Sequence, residues 1–115
     1  MPVERSKELF LNDILESINA IYDYIEGYEL EDFKNDRKTY QAVIREFEII
    51  GEAVKNIYDF LQLKEPAYKW RYIIDFRNKI NHEYFGVDFT LIWNTVFLKL
   101  PELEQIIQKL SKEIK

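Results

Sequence analysis

The chain has 115 residues, 47% of them apolar, with three glycines, three prolines, one histidine and no cysteine. That is enough chain for one domain over residues 1–115 with a real core, too little turn material for an all-β fold, and no thiol for disulfides, thiolate catalysis or a cysteine metal site, while one histidine argues against structural zinc. A net charge of −5 argues against a general nucleic-acid binder, and with no signal peptide or long uncharged apolar run in view, a cytoplasmic protein without a membrane partner is expected.

Phe10, Ile14, Ile18, Ile21 and Ile25, widened by Leu11, Leu15 and Tyr22, step by three and four. That period predicts an amphipathic helix over residues 6–26. Gly27 is placed to cap it, because glycine tolerates a left-handed backbone. In the connector YELEDFKNDR, residues 28–37, Leu30 and Phe33 are spaced for a single helical turn that pins the segment to the core. Glu29, Glu31 and Asp32 read as a solvated acidic turn rather than a magnesium site, since no other ligands are specified.

A second helix is predicted over residues 38–61, on the stripe Tyr40, Val43, Ile44, Phe47, Ile50, Val54, Ile57, Tyr58 and Leu61. Gly51 sits inside it, at a cost of roughly 1 kcal/mol relative to alanine, which points to close approach of another helix there. Arg45, Glu48 and Glu52 form a polar line along one side. It reads first as an intrahelical ion-pair series and second as a brace reaching a neighbouring helix. Residues 63–69 form a connector punctuated by Pro66. A third helix starts near residues 67–70, buries Trp70, Ile73, Ile74, Phe76 and Ile80, and ends near His82 or Tyr84, ahead of Gly86. Asp88 is placed to cap a fourth helix carrying Leu91, Ile92, Val96, Leu100, Leu103, Ile107, Leu110 and Ile114, with a break near Lys99 and Leu100 imposed by Pro101. The fold predicted is all-α, an antiparallel four-helix bundle with a short extra helical turn. Aromatics are 16% of the chain, and part of that surplus is expected at a subunit interface.

The chemistry concentrates in RYIIDFRNKINHEYFG, residues 71–86. Lys69, Arg71, Arg77 and Lys79 against Asp75 give the stretch 69–82 a local charge of +3, which leaves −8 for the rest of the chain. A basic island in an acidic body can meet a phosphate without coating the protein in positive field, although helical salt-bridge faces look similar. Asn78 and His82 are four apart and share a helical face, whereas Arg77 and His82 are separated by about 140° round the axis. Either the arginine wraps round, or the helix loosens near His82, or the two act across a subunit contact. Arginine offers a permanently charged fork matched to phosphate, histidine exchanges a proton near neutral pH, and Asn78 can hold a phosphate oxygen or the imidazole. Together these groups suit cleavage of a ribose phosphodiester without a metal. The reaction profits from both a base and an acid, so a symmetric dimer supplying two copies of His82 fits it; Tyr84 or Lys79 could instead be the second proton carrier.

Arg77-Asn78-x-x-x-His82-x-Tyr84 matches the RNxxxHxY form of the Arg-x4–6-His motif, and the chain resembles the HepT-like toxins of the HEPN ribonuclease superfamily. The resemblance extends over NDILESI at residues 12–18, AVIREFEIIGEAVKNI at 42–57, Trp70, HEYFGVDFTLIWNTV at 82–96 and LPEL at 100–103. It implies a HEPN-like helical bundle forming a homodimer with both motifs in one cleft. It implies metal-independent RNA cleavage with no cofactor, with Arg77 and His82 catalytic, Asn78 supporting, and transfer RNA as the substrate class suggested; Lys79 is expected to support the site on the chemistry of the stretch itself. It also implies a type VII toxin–antitoxin pair, in which an MntA-like minimal nucleotidyltransferase silences the toxin by AMPylation of Tyr84. Added phosphates beside His82 would block the cleft and repel RNA. The competing reading is a non-catalytic helical module that binds such a nucleotidyltransferase, and a nucleotide with it. A four-helix metal protein fits poorly, because it needs histidines and carboxylates projecting inward in pairs.

Overall fold

The apolar stripes fold as the period of three and four requires. The structure, a computed structural model, describes residues 6–81 and 86–114, and among these it contains seven α-helices. They are α1 (Lys7–Tyr24), α2 (Leu30–Lys34), α3 (Arg37–Asn56), α4 (Tyr58–Lys64), α5 (Trp70–Asn81), α6 (Phe89–Leu98) and α7 (Leu100–Glu113).

Ser6 Oγ accepts from the Leu9 amide at 3.3 Å and starts α1. Leu11, Ile14, Ile18 and Ile21 are fully buried along it, and Gly27, at φ +80°, turns the chain away at its end. The acidic connector is a helix start: Asp32 Oδ2 accepts from the Glu29 amide at 2.8 Å, closing a reciprocal cap on α2. Phe33 pins that short helix to the core. Its ring is fully buried against Tyr40, Phe89 and Trp93, with centroids 6.3, 6.2 and 5.3 Å away.

The single helix expected over residues 38–61 is two helices. Residue Ile57 leaves helical geometry, at φ −119° and ψ 27°, and separates α3 from α4. Just before it, the Asn56 side chain donates to the Glu52 carbonyl at 2.8 Å, competing for a carbonyl that the helix itself uses. The ladder still crosses the break, since Leu61 N–H donates to Ile57 O at 3.0 Å. The re-aimed α4 buries Leu61 completely. Further on, Trp70 is fully buried at the start of α5, and its indole N–H donates to the Glu65 carbonyl at 3.0 Å. The Glu65 carboxylate takes Lys109 of α7 at 2.9 Å. The expected end of the third helix, at His82 or Tyr84, lies outside the described residues. Asp88 Oδ1 accepts from the Leu91 amide at 3.0 Å and caps α6. The break before α7 falls at Lys99, with Pro101 in the first turn of α7, where its missing N–H costs nothing.

α1 lies antiparallel to α3 and α4. The Lys7 ammonium sits 5.2 Å above the Phe60 ring of α4, while at the other end the Tyr24 hydroxyl donates to Glu46 of α3 at 3.1 Å. α7 packs on α1, α5 packs on α3, and α2 touches both α3 and α6. The result is the expected all-α bundle of four helical segments, two of them broken, with α2 as the extra turn. Phe97 and Leu98 stay exposed near the α6–α7 break. Among the described residues, no helix is long and apolar enough to cross a membrane.

Asp36 ties α2 to α3. The Tyr28 hydroxyl donates to its Oδ2 at 2.5 Å, and the Thr39 hydroxyl and amide donate at 2.8 and 3.2 Å. These bonds, the Tyr28 hydroxyl foremost, hold its carboxyl below the ordinary value of 3.8. A depressed folded-state pKa means that the contribution is present above 3.8 and is lost as pH falls through the lower, folded value. Asp36→Ala should therefore melt below wild type at neutral pH, with the gap narrowing as the pH drops below the carboxylate range. Thermal unfolding by circular dichroism across that range tests it; a gap independent of pH would contradict it.

Candidate active site

Of the residues expected at the site, Arg77 sits where α5 lies against α3, with Asn78 beside it. Two contacts hold the helices together there. Phe76 meets Phe47 edge-on at 4.9 Å. One residue further, Arg77 packs on Gly51: a Cβ built on that glycine would lie 2.6 Å from Arg77 Cβ and 2.7 Å from Cγ. The glycine in mid-helix thus has the expected return, and the group that occupies the notch is the stem of the arginine.

The head of Arg77 is held as firmly as its stem. Nη2 donates to Glu52 Oε2 at 2.5 Å, and Nη1 donates to Asn78 Oδ1 at 2.8 Å. Arginine has only donors, so the Asn78 atom facing it is the carbonyl oxygen, and its amide N–H groups remain for another partner. Nε is buried with no hydrogen-bond partner. The Arg77 side chain is 21% exposed, against 53% for Glu52. The guanidinium therefore lies in a partly dried contact with its plane fixed, and its fork is not used up, since each terminal nitrogen carries a second N–H.

Of the residues expected at the site, Arg77 and Asn78 are brought together. Lys79 is exposed and lies about 200° from Arg77 round the helix, so it does not join them. His82 and Tyr84 lie outside the described residues. Glu52 belongs to the site's geometry although its polar line reads first as an intrahelical series; it crosses to α5 instead. The signal available was its place beside Gly51, which marks the face where another helix comes close.

A groove of about 420 Å³ lies between the start of α5 and the α6–α7 break, lined by Glu65, Tyr68, Lys69, Tyr72, Lys99 and Glu102 among others. Lys99 Nζ stands 5.1 Å above the Tyr72 ring. Burial, with Glu102 and Tyr72 nearby, pushes the Tyr68 phenol up to about 12, so it holds its proton at neutral pH. Arg77 and Asn78 do not line this groove. Among the described residues, no group of three or more histidine, cysteine, aspartate or glutamate side chains is gathered as a metal ion would need.

The profile of the family described as "Ribonuclease HepT-like" matches residues 14–110, a span that includes Gly51, Glu52, Arg77 and Asn78. A Thermococcus cleftensis protein named "Probable ribonuclease HepT" is 42% identical over 110 residues, which cover 96% of this chain and all of that protein. A Methanocaldococcus jannaschii protein named "Putative RNase MJ0127" is 40% identical over 108 residues, 90% of this chain and 89% of that protein. A Caldanaerobacter subterraneus protein named "Putative RNase TTE0752" is 39% identical over 105 residues, 90% of this chain and 94% of its own length. No solved structure matches the chain.

The Gly51 notch yields a direct prediction. Gly51→Ala gains up to about 1 kcal/mol of helix propensity, but its methyl group must displace the rigid base of Arg77, an overpacking that costs about 1–3 kcal/mol. The expected net loss is about 1 kcal/mol, read as a lower urea midpoint with an unchanged slope. A raised midpoint would mean that α5 moves aside freely.

Proposed function

The chain belongs to the HepT-like ribonuclease family, and we propose that it is a metal-independent endoribonuclease whose reacting groups are Arg77 and His82. The observation that carries this reading is the arginine itself: a guanidinium fixed at stem and head at a helix contact, with free N–H groups left on its fork. A preorganised cation of this kind suits a reaction in which negative charge builds up on a phosphate.

The substrate is RNA, with transfer RNA the class we favour. The 2′-hydroxyl of a ribose attacks the adjacent phosphorus while an imidazole removes its proton. Arg77 binds the non-bridging oxygens as charge accumulates in the phosphorane. The P–O5′ bond then breaks, a second proton carrier protonates the leaving 5′-oxygen, and the products end in a 2′,3′-cyclic phosphate and a 5′-hydroxyl. One chain has one histidine, so we assign the two proton transfers to the His82 residues of two copies in a homodimer with a shared cleft. Asn78, whose amide N–H groups remain available, helps to hold the phosphate or the imidazole. Lys79, on another side of α5, meets the RNA backbone away from the reacting phosphate.

The same reading makes the protein the toxin of a type VII toxin–antitoxin pair acting in the cytoplasm. Its partner is an MntA-like nucleotidyltransferase. The Tyr84 phenol oxygen attacks the α-phosphorus of ATP, pyrophosphate leaves, and the AMP left on Tyr84 places negative charge two residues from His82, where it opposes RNA binding.

Purified protein, confirmed free of AMP by intact mass, should cleave RNA in EDTA and leave 2′,3′-cyclic ends. His82→Ala and Arg77→Ala should each lose on the order of 100-fold or more in rate while remaining folded and dimeric. If unmodified dimer cuts no RNA and yet binds a nucleotidyltransferase, the chain is the non-catalytic module instead.

A further inference from the structure

We infer that Glu52 is a positioning residue for the reaction, acting through Arg77; the inference rests on the ribonuclease reading above. Gly51 and Glu52 are consecutive on α3 and take hold of one arginine at its two ends. The missing Cβ of Gly51 admits the Cβ and Cγ of Arg77, and Glu52 Oε2 receives Nη2 at 2.5 Å. Asn78 takes Nη1 from the other side at 2.8 Å. Three points along the side chain fix its torsions and the plane of its fork.

The arrangement has a cost that a purely structural pair has no reason to bear. A carboxylate beside the cation that meets a phosphate weakens the attraction for RNA. The return is orientation. An arginine side chain is rich in rotamer entropy, and here the fold removes much of it before substrate arrives. A misplacement of about 1 Å at a reacting centre costs on the order of 100-fold in rate. Glu52 is itself supported from within α3, because Asn56 Nδ2 donates to its Oε1 at 3.4 Å. Its single contact with Nη2 leaves that nitrogen's other N–H for the phosphate. Glu52 therefore orients the fork without occupying it.

Positioning and simple bracing predict different kinetics. Glu52→Ala should lower kcat about 100-fold with no rise in KM, since removing the charge favours RNA binding while the fork loses its orientation. Glu52→Gln keeps an acceptor oxygen at the same reach and should recover about tenfold of that loss. In an Arg77→Ala background, Glu52→Ala should cause no further loss, because the group it acts through is gone. A rise in KM at unchanged kcat, or additive effects in the double variant, would overturn the inference. Side-chain NMR of Arg77 gives a readout independent of activity. Restricted rotation of the guanidinium in wild type, lost in Glu52→Ala and retained in Glu52→Gln, supports the inference, while identical averaging in all three overturns it. Absence of RNA cleavage by the unmodified wild-type dimer overturns the ribonuclease reading, and the NMR result then stands or falls by itself.

Discussion

The approach of α5 to α3 at Gly51 is the constraint on which the rest depends. Any side chain at that position would push Arg77 off the contact from its first carbon, and the pairing of Nη2 with Glu52 and the burial of Nε would go with it. A glycine that weakens its own helix by roughly 1 kcal/mol therefore serves the placement of one long side chain. The Phe47–Phe76 contact, one residue before the arginine, supplies the apolar burial that holds the two helices in register.

Around that contact the bundle is held by ties at its joints. Phe33 seats α2 among rings from α3 and α6. Asp36 gathers Tyr28 and Thr39 where α2 hands over to α3. Glu65 binds Trp70 with its carbonyl and Lys109 with its carboxylate, joining the connector after α4 to both α5 and α7. The long stripes of isoleucine and leucine provide most of the burial, and these polar ties decide where each helix begins and how it meets the next.

Much of this is legible in the sequence, and the misses have physical reasons. Helical period and caps locate α1, α2, α5, α6 and α7, and Pro101 marks the break before α7. The break at Ile57 is not legible, because the stripe runs on through Ile57, Tyr58 and Leu61 and the competing bond from Asn56 carries no periodic mark. Acidic residues 29–32 look like a solvated turn because a cap depends on which carboxylate meets which amide, and composition does not say. At the site, Arg77 and Asn78 stand out by motif, and Gly51 announces a close neighbour. Glu52 is harder: helical spacing relates it to Arg45 and Glu48 on its own helix, while its true partner is 25 residues away and is set by packing. Family resemblance supplies the expected roles of His82 and Tyr84, which local spacing alone leaves open.

The tie at Glu65 has a mechanical consequence for α5. The helix is clamped at its first residue by Trp70, which is fully buried and bonded back to the connector, and again at Arg77, where its stem fills the Gly51 notch. A rod of 12 residues held at two points about 10 Å apart cannot pivot about either one without straining the other. Tilting and sliding of α5 are coupled to displacement of α3 and of α4, whose end Glu65 caps, so the arginine moves with the bundle rather than on a hinge of its own.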